Sequence, residues 1–306
     1  MSDAAFNTEI LPPLLRKGEC VGLVAPAGPV AEEVIRQGLQ LLWECGIKNV
    51  KYSQDICRRE NYLAGSDRRR QEELHQLWDD DEVKAILAVR GGYGCARLLA
   101  GLNFELVRRK PKILIGFSDL TILLNVIHQR TGLVTFHGPM LSTLVRSGKE
   151  GMVAMLNELT VHAHDRLPSK GVEVLRSGQA EGRLIGGNLT CLAQLLGTPY
   201  EPHWDRAILL LEEVNEPVYR VDRVLTHLSL AGCLDQVAGV ILGEFLDSDS
   251  HTVGGLELIW QRVLELIPEQ TPVWANFPAG HGRRNILLPI GRHASMDGND
   301  ARLRLL

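Results

Sequence analysis

The stretch "PKILIGFSDLTILLNVIHQRTG", Pro111 to Gly132, decides the fold. Ile113 to Ile115 form a short unbroken apolar run, the pattern of a strand buried on both faces. The run from Leu120 is longer, again rich in apolar residues, and closes at Gly132, as a helix does at its C-terminus. The polar pair Ser118-Asp119 between these segments has two readings. Ser or Asp before an apolar helix is most often its N-cap. A Ser on a sharp strand-to-helix turn also presents its Oγ at the carboxyl edge of a sheet, where the helix dipole and free N–H groups favour developing negative charge. Position 120 is Leu, so the second glycine of G-x-S-x-G is missing, and the local pattern alone favours the cap.

The same strand–loop–helix pattern recurs on both sides. "ECVGLVAPAGPV" is an apolar run ending in Pro and Gly. "AEEVIRQGLQLLWECG" then places Ile35, Leu39 and Leu42 at helical spacing and stops at Gly46. "SDRRRQEELHQLWDD" reads as a helix with Ser66 as N-cap, and the mixed charges of Arg68-Arg69-Arg70 and Glu72-Glu73 make it a solvated face. "VKAILAVRGGYG" is a buried strand with a Gly loop, "CARLLAGL" opens the next helix, and "LVTFHGPM" is a further strand and loop. Strands alternating with helices predict an α/β fold with a mostly parallel sheet.

Breakers cluster at Pro168, Gly171, Gly178 and Gly182, which predicts an N-terminal domain over 1–165, a linker over 166–174 and a C-terminal domain over 175–306. The second half offers a helix from Leu189, a strand "RAILLLEEV", a helix "YRVDRVLTHLSLAG" and a strand "VAGVILGEF". A helix at "GLELIWQRVLELI", the strand "PVWANF" and terminal strands follow.

A formal net charge of −4 over 306 residues argues against a general nucleic-acid binder. No apolar run approaches the ~18–20 residues that span a bilayer, and the N-terminus has no secretory pattern. Six scattered cysteines without C-x-x-C fit reduced thiols in a cytoplasm. "APAGPV" lacks the dinucleotide fingerprint, and its prolines remove N–H donors a pyrophosphate would use. "RGGYG" has no Lys-Ser/Thr after it, so no nucleotide cofactor is expected. "HAHD", His162 to Asp165, resembles a metal tract but has no third His or Cys nearby, and no metal is expected.

Ligands of parallel sheets gather beyond the carboxyl ends of the strands. Three candidates fall there. Ser118 is one. His281, in "FPAGHGRRN", lies between Gly280 and Gly282, in a loop whose backbone can approach a ligand, with a solvated loop His as the plain alternative. Glu212-Glu213 closes an apolar strand, where alternation sends one carboxylate to a site and the other away, and a surface carboxylate is the plain alternative.

"GFSDLT", "LLLEEVNEPVYRVDRVLTHL" and "FPAGHGRRNILLPIG" together resemble the LD-carboxypeptidase family of serine peptidases. That family includes murein tetrapeptide carboxypeptidases and microcin C self-immunity proteins. "GECVGLVAPAGPV", "YLAGSDRRRQEEL", "AVRGGYGCARLL", "TFHGPM" and "IGGNLTCLAQLLGTPY" extend the resemblance over nearly the whole chain, in order. It implies a flavodoxin-like N-terminal domain carrying a nucleophilic Ser118, and a smaller, mainly β C-terminal domain carrying the acid Glu212 and the base His281. The family usually has Glu-Asp where this chain has Glu212-Glu213. Oxyanion donors map to the backbone N–H groups of Asp119 and Gly92, leaving the Asp119 carboxylate to cap the following helix. The implied reaction is hydrolysis of the L,D-peptide bond that releases terminal D-Ala from murein tetrapeptide, by a cytoplasmic homodimer. The alternative is a hydrolase of peptidyl- or aminoacyl-nucleotides, for which Trp204 and Trp274 are candidate stacking residues. Arg90, Arg220 and Arg223 are candidate partners for a substrate carboxylate, and Tyr93 a candidate pocket residue.

Overall fold

The computed structural model describes residues 9–160, 167, 171–246, 254–282, 284–298 and 301–306. The chain divides into two compact units, Met1–His162 with Leu287–Pro289, and Ala163–Ile286 with Ile290–Leu306. The tract His162 to Asp165, where no metal is expected, lies outside the described residues, as do residues 166 and 168–170 of the expected linker.

In the first unit β1 (Cys20–Val24), α1 (Glu32–Glu44), β2 (Val50–Lys51), α2 (Asp67–Asp79) and β3 (Val83–Ala88) lead into α3 (Phe104–Arg109). Then come β4 (Ile113–Gly116), α4 (Thr121–Thr131), β5 (Thr135–His137) and α5 (Leu141–Thr160). The strand order is β2-β1-β3-β4-β5, with a late strand, Leu288–Ile290, beyond β5. The pairs from β2 to β5 are all parallel. This is the flavodoxin-like order, whose ligand crevice opens at the carboxyl edge. Ile113, Leu114 and Ile115 are at most 1% exposed, as a strand covered on both faces requires. On one face Leu23, Leu87 and Ile115 pack with Ile35, Leu42, Leu144 and Met152. Gly38 lets α1 meet α5, because a Cβ there would come 2.6 Å from Leu141 Cγ.

Two expectations are corrected here. The Arg68–Arg70 run is not one solvated face. Arg68 is exposed, but Arg70 is fully buried, donating to Pro26 O and to Gly94 O (3.0 Å) and pairing with Asp67. Successive helical residues point in different directions, so a run of like charges need not share a face. Ser66 does cap α2, accepting from Arg69 N. "CARLLAGL" is a 3₁₀ segment, Cys95–Gly101, rather than the start of an α-helix; α3 starts afterwards with Asn103 as cap.

The second unit comprises β6 (Glu173–Arg176), β7 (Gln179–Asn188), α6 (Leu189–Ala193), β8 (Ile208–Val214), α7 (Val218–Leu230) and β9 (Gly239–Leu246). It continues through α8 (Gly255–Leu266), β10 (Val273–Ala275), β12 (His293–Asp297) and β13 (Arg302–Leu305), while the late strand β11 (Leu288–Ile290) belongs to the first sheet. Its sheet order is β13-β12-β7-β8-β9-β10-β6. The central strands β7 to β10 are parallel, and the outer pairs are antiparallel. Leu209, Leu211, Val240 and Leu242 meet Leu225 and Leu228 of α7 and Ile259 and Val263 of α8 in one core. Among the described residues no helix is long and apolar enough to cross a membrane.

Candidate active site

In the first unit the loops after β1, β3 and β4 leave the same edge of the sheet. Ser118 follows β4 directly and is half-buried, with φ +61. A non-glycine residue in the left-handed region costs of order 1 kcal/mol or more, and such strain collects at functional sites. Phe117 behind it is buried, its ring edge-on to His137 at 5.8 Å. Neither Ser118 nor Asp119 caps α4, which corrects the local reading. A 3₁₀ turn, Ser118–Leu120, separates the pair from Thr121, and α4 has no side-chain cap. The Asp119 carboxylate turns to the loop after β3 and accepts Cys95 N–H at 2.8 Å. Burial pushes its pKa up, while Cys95 and Arg70 oppose the rise.

The Gly loop comes to Ser118. A Cβ on Gly91 would lie 3.0 Å from Ser118 Cβ and 3.1 Å from its Oγ. Gly91 O accepts from Gly28 N at 3.0 Å, joining the loops after β1 and β3. Gly92 has φ +121, and a Cβ on it would meet Gly28 backbone at 3.2 Å. Arg70 bonds to a carbonyl in each of these loops, so a buried guanidinium holds them together.

In the second unit the candidates gather at the carboxyl ends of β7 to β10. Glu212 is fully buried on β8, and the His281 Nδ1–H donates to its Oε2 at 2.8 Å. His281 keeps 17% of its side chain exposed. Burial raises the Glu212 pKa, the His281 hydrogen bond and charge pull it back, and the neighbouring Glu213 adds to the rise. The expectation of strand-end surface carboxylates is corrected, because Glu213 is buried too. It accepts from Asn188 Nδ2 (2.8 Å), Thr190 N (3.0 Å) and Thr190 Oγ1 (2.7 Å). Both faces of β8 are buried along its length, so both carboxylates go inside and each takes its own partners.

Trp204 and Trp274 are buried at 4% and 0% exposure, so both belong to the core. Arg90 donates to Pro29 O, Arg220 pairs with Glu216, and Arg223 lies over the Tyr219 ring. Tyr93 is exposed beside Tyr62, with centroids 5.8 Å apart. Among the described residues no cluster of His, Cys, Asp and Glu is arranged to hold a metal ion. Sequence reading missed Gly91, Asn188 and Glu244. The register of β7 against β8, which sets Asn188 opposite Glu212, is a tertiary fact.

Two family models match the chain: the LD-carboxypeptidase N-terminal domain over residues 21–138 and the LD-carboxypeptidase C-terminal domain over 181–296. A probable murein peptide carboxypeptidase of Bacillus subtilis is 38% identical, covering 95% of this chain and 93% of the relative. The murein tetrapeptide carboxypeptidase of Pseudomonas aeruginosa is 35% identical, covering 92% and 94%. The crystal structure of an MccF-like protein from Bacillus anthracis superposes with TM-score 0.84 at 27% identity, covering 97% of this chain and 99% of that one.

Proposed function

Because the chain belongs to the LD-carboxypeptidase family, a family of serine carboxypeptidases, we propose that it releases the terminal D-Ala of murein tetrapeptide through Ser118, His281 and Glu212. The observation that carries this reading is the 2.8 Å bond from His281 Nδ1 to a wholly buried Glu212. A carboxylate so placed selects one tautomer, in which Nδ1 carries the proton and Nε2 is the basic nitrogen.

In this mechanism Ser118 Oγ attacks the scissile carbonyl and its proton passes to His281 Nε2. Glu212 stabilises the resulting imidazolium without taking a proton itself. The backbone N–H groups of Asp119 and Gly92 receive the oxyanion, each worth ~10²–10³ in turnover. His281 protonates the leaving amine of D-Ala, and the acyl bond forms to Ser118. Water, deprotonated by His281, then attacks the acyl-enzyme and restores the Ser118 hydroxyl. The strained φ of Ser118 and the approach of Gly91 support its role as nucleophile.

The test incubates wild type and Ser118→Ala with murein tetrapeptide and follows free D-Ala by mass spectrometry. Wild type releases D-Ala, and the variant loses turnover by ~10⁴-fold or more. Turnover surviving in Ser118→Ala rejects the triad. A solved structure of the microcin C7 self-immunity protein MccF in complex with aspartyl sulfamoyl adenosine, 25% identical with TM-score 0.82, favours one second reading, hydrolysis of aminoacyl-nucleotides. Cleavage of an aminoacyl sulfamoyl adenosine by a wild type that leaves tetrapeptide intact selects it.

A further inference from the structure

The loop that carries His281 is held at two points by one residue of the neighbouring strand, Glu244. Its backbone N–H donates to Ala279 O at 2.9 Å, and its carboxylate accepts the N–H of Gly282. The two bonds bracket His281. The glycines on either side fit the same arrangement. A Cβ on Gly280 would come 3.1 Å from Glu244 Cβ and 3.3 Å from Glu212 Oε2, and a Cβ on Gly282 would overlap the Glu244 carboxylate. The space that side chains at 280 and 282 would fill is thus taken up by Glu244 and Glu212.

The sheet register explains how Glu244 reaches this position. Leu211 pairs with Leu242 and Glu213 with Phe245, so β9 carries one residue more than β8 across Glu212. Such a bulge re-aims a side chain beside a site. Gly243, within the bulge, leaves room for Ala279 O, which a Cβ there would overlap. Glu244 is half-buried, and a carboxylate in that setting is retained where donors satisfy it.

We propose that Glu244 is a positioning residue for the His281–Glu212 pair, its backbone and carboxylate clamping the 279–282 loop so that Nδ1 stays on Glu212. The proposal rests on the reading of His281 as the base. It assigns Glu244 no contact with substrate and no proton transfer.

The test compares Glu244→Ala and Glu244→Gln with wild type. The Gln oxygen still accepts Gly282 N–H, whereas Ala removes the acceptor. A loop displacement approaching 1 Å costs ~10²-fold, so Glu244→Ala is expected to lower kcat by ~10–100-fold with KM within about twofold. Glu244→Gln restores most of that loss. A second readout needs no substrate: the low-field NMR signal of the His281 Nδ1–H, assigned by its loss in His281→Gln, persists in Glu244→Gln and broadens away in Glu244→Ala. Wild-type kcat and an intact signal in Glu244→Ala overturn the proposal. An equal loss in Gln and Ala also overturns it, since charge rather than the hydrogen bond would then be responsible. If wild type leaves tetrapeptide intact, the NMR comparison still decides the clamp separately from the substrate reading.

Discussion

Substituting Gly91 by Ala tests how closely the Gly loop is fitted to Ser118. The new Cβ would stand 3.0 Å from Ser118 Cβ, 3.1 Å from Oγ and 3.3 Å from Met140 Cε, where ordinary contact begins at 3.4 Å. Ser118 must therefore yield by about 0.3–0.4 Å, from 3.4 less 3.1 and 3.4 less 3.0. If 1 Å of misplacement costs ~10²-fold, a log-linear share for this shift is ~4–6-fold in kcat. Folding should tolerate the change. Gly91 is not among the glycines with positive φ, so Ala adopts its backbone, and the restricted unfolded chain offsets part of the contact, leaving a net change within about 1 kcal/mol. Gly92→Ala is the control. At φ +121, and 3.2 Å from Gly28 backbone, it costs ~1–3 kcal/mol of stability. The assay is steady-state release of D-Ala from tetrapeptide beside thermal melts of both variants. Gly91→Ala with wild-type kcat would refute the fitted loop, as would a melt lowered as far as that of Gly92→Ala.

Glu212→Gln keeps the size of the buried side chain but no longer selects the His281 tautomer; kcat for D-Ala release should fall by ~10⁴-fold with the melt near wild type, and a loss below tenfold counts against the acid role. Glu73, buried on α2 and 3.4 Å from Ala25 N, has its pKa pushed by burial from an ordinary 4.5 to about 7. The folded state therefore holds this proton more tightly than the unfolded chain. The stabilisation is full below the ordinary value and is lost as pH rises through about 7, up to ~3 kcal/mol in all. Urea titrations at pH 4 and pH 8 should show this loss in wild type and a flatter profile in Glu73→Gln; equal slopes would remove Glu73 as the source.

Much of the first unit is legible from patterning. "ILIG" and "AILA", the latter after the exposed Lys84, are apolar without alternation, the pattern of parallel strands buried on both faces. The helices are legible for the reason seen at α2, where Ser66 caps and the apolar spacing runs to Trp78. The rule that ligands gather at carboxyl ends directed attention to Ser118, Glu212 and His281. Where patterning failed, a long-range partner had overridden a local preference. Asp119 looks like a helix cap but bonds 24 residues back, to Cys95 N. Arg70 looks like part of a solvated face but is drawn inward by the carbonyls of Pro26 and Gly94.

The sequence alone determined the alternation of strands and helices and the residue types needed for acyl transfer, because periodicity and side-chain chemistry are local properties. Patterning left open which of two adjacent glutamates meets His281; the family resemblance assigned Glu212, and the tertiary structure supplies the physical reason. Glu212 and Glu213 are chemically alike and adjacent, and what separates them is the register of β7 and β9 against β8. That register puts the donors of Asn188 and Thr190 on Glu213 and His281 on Glu212. It also places Glu244, through one extra residue in β9, at the loop of the histidine. A buried carboxylate is defined by the donors that reach it, and those donors come from distant parts of the chain.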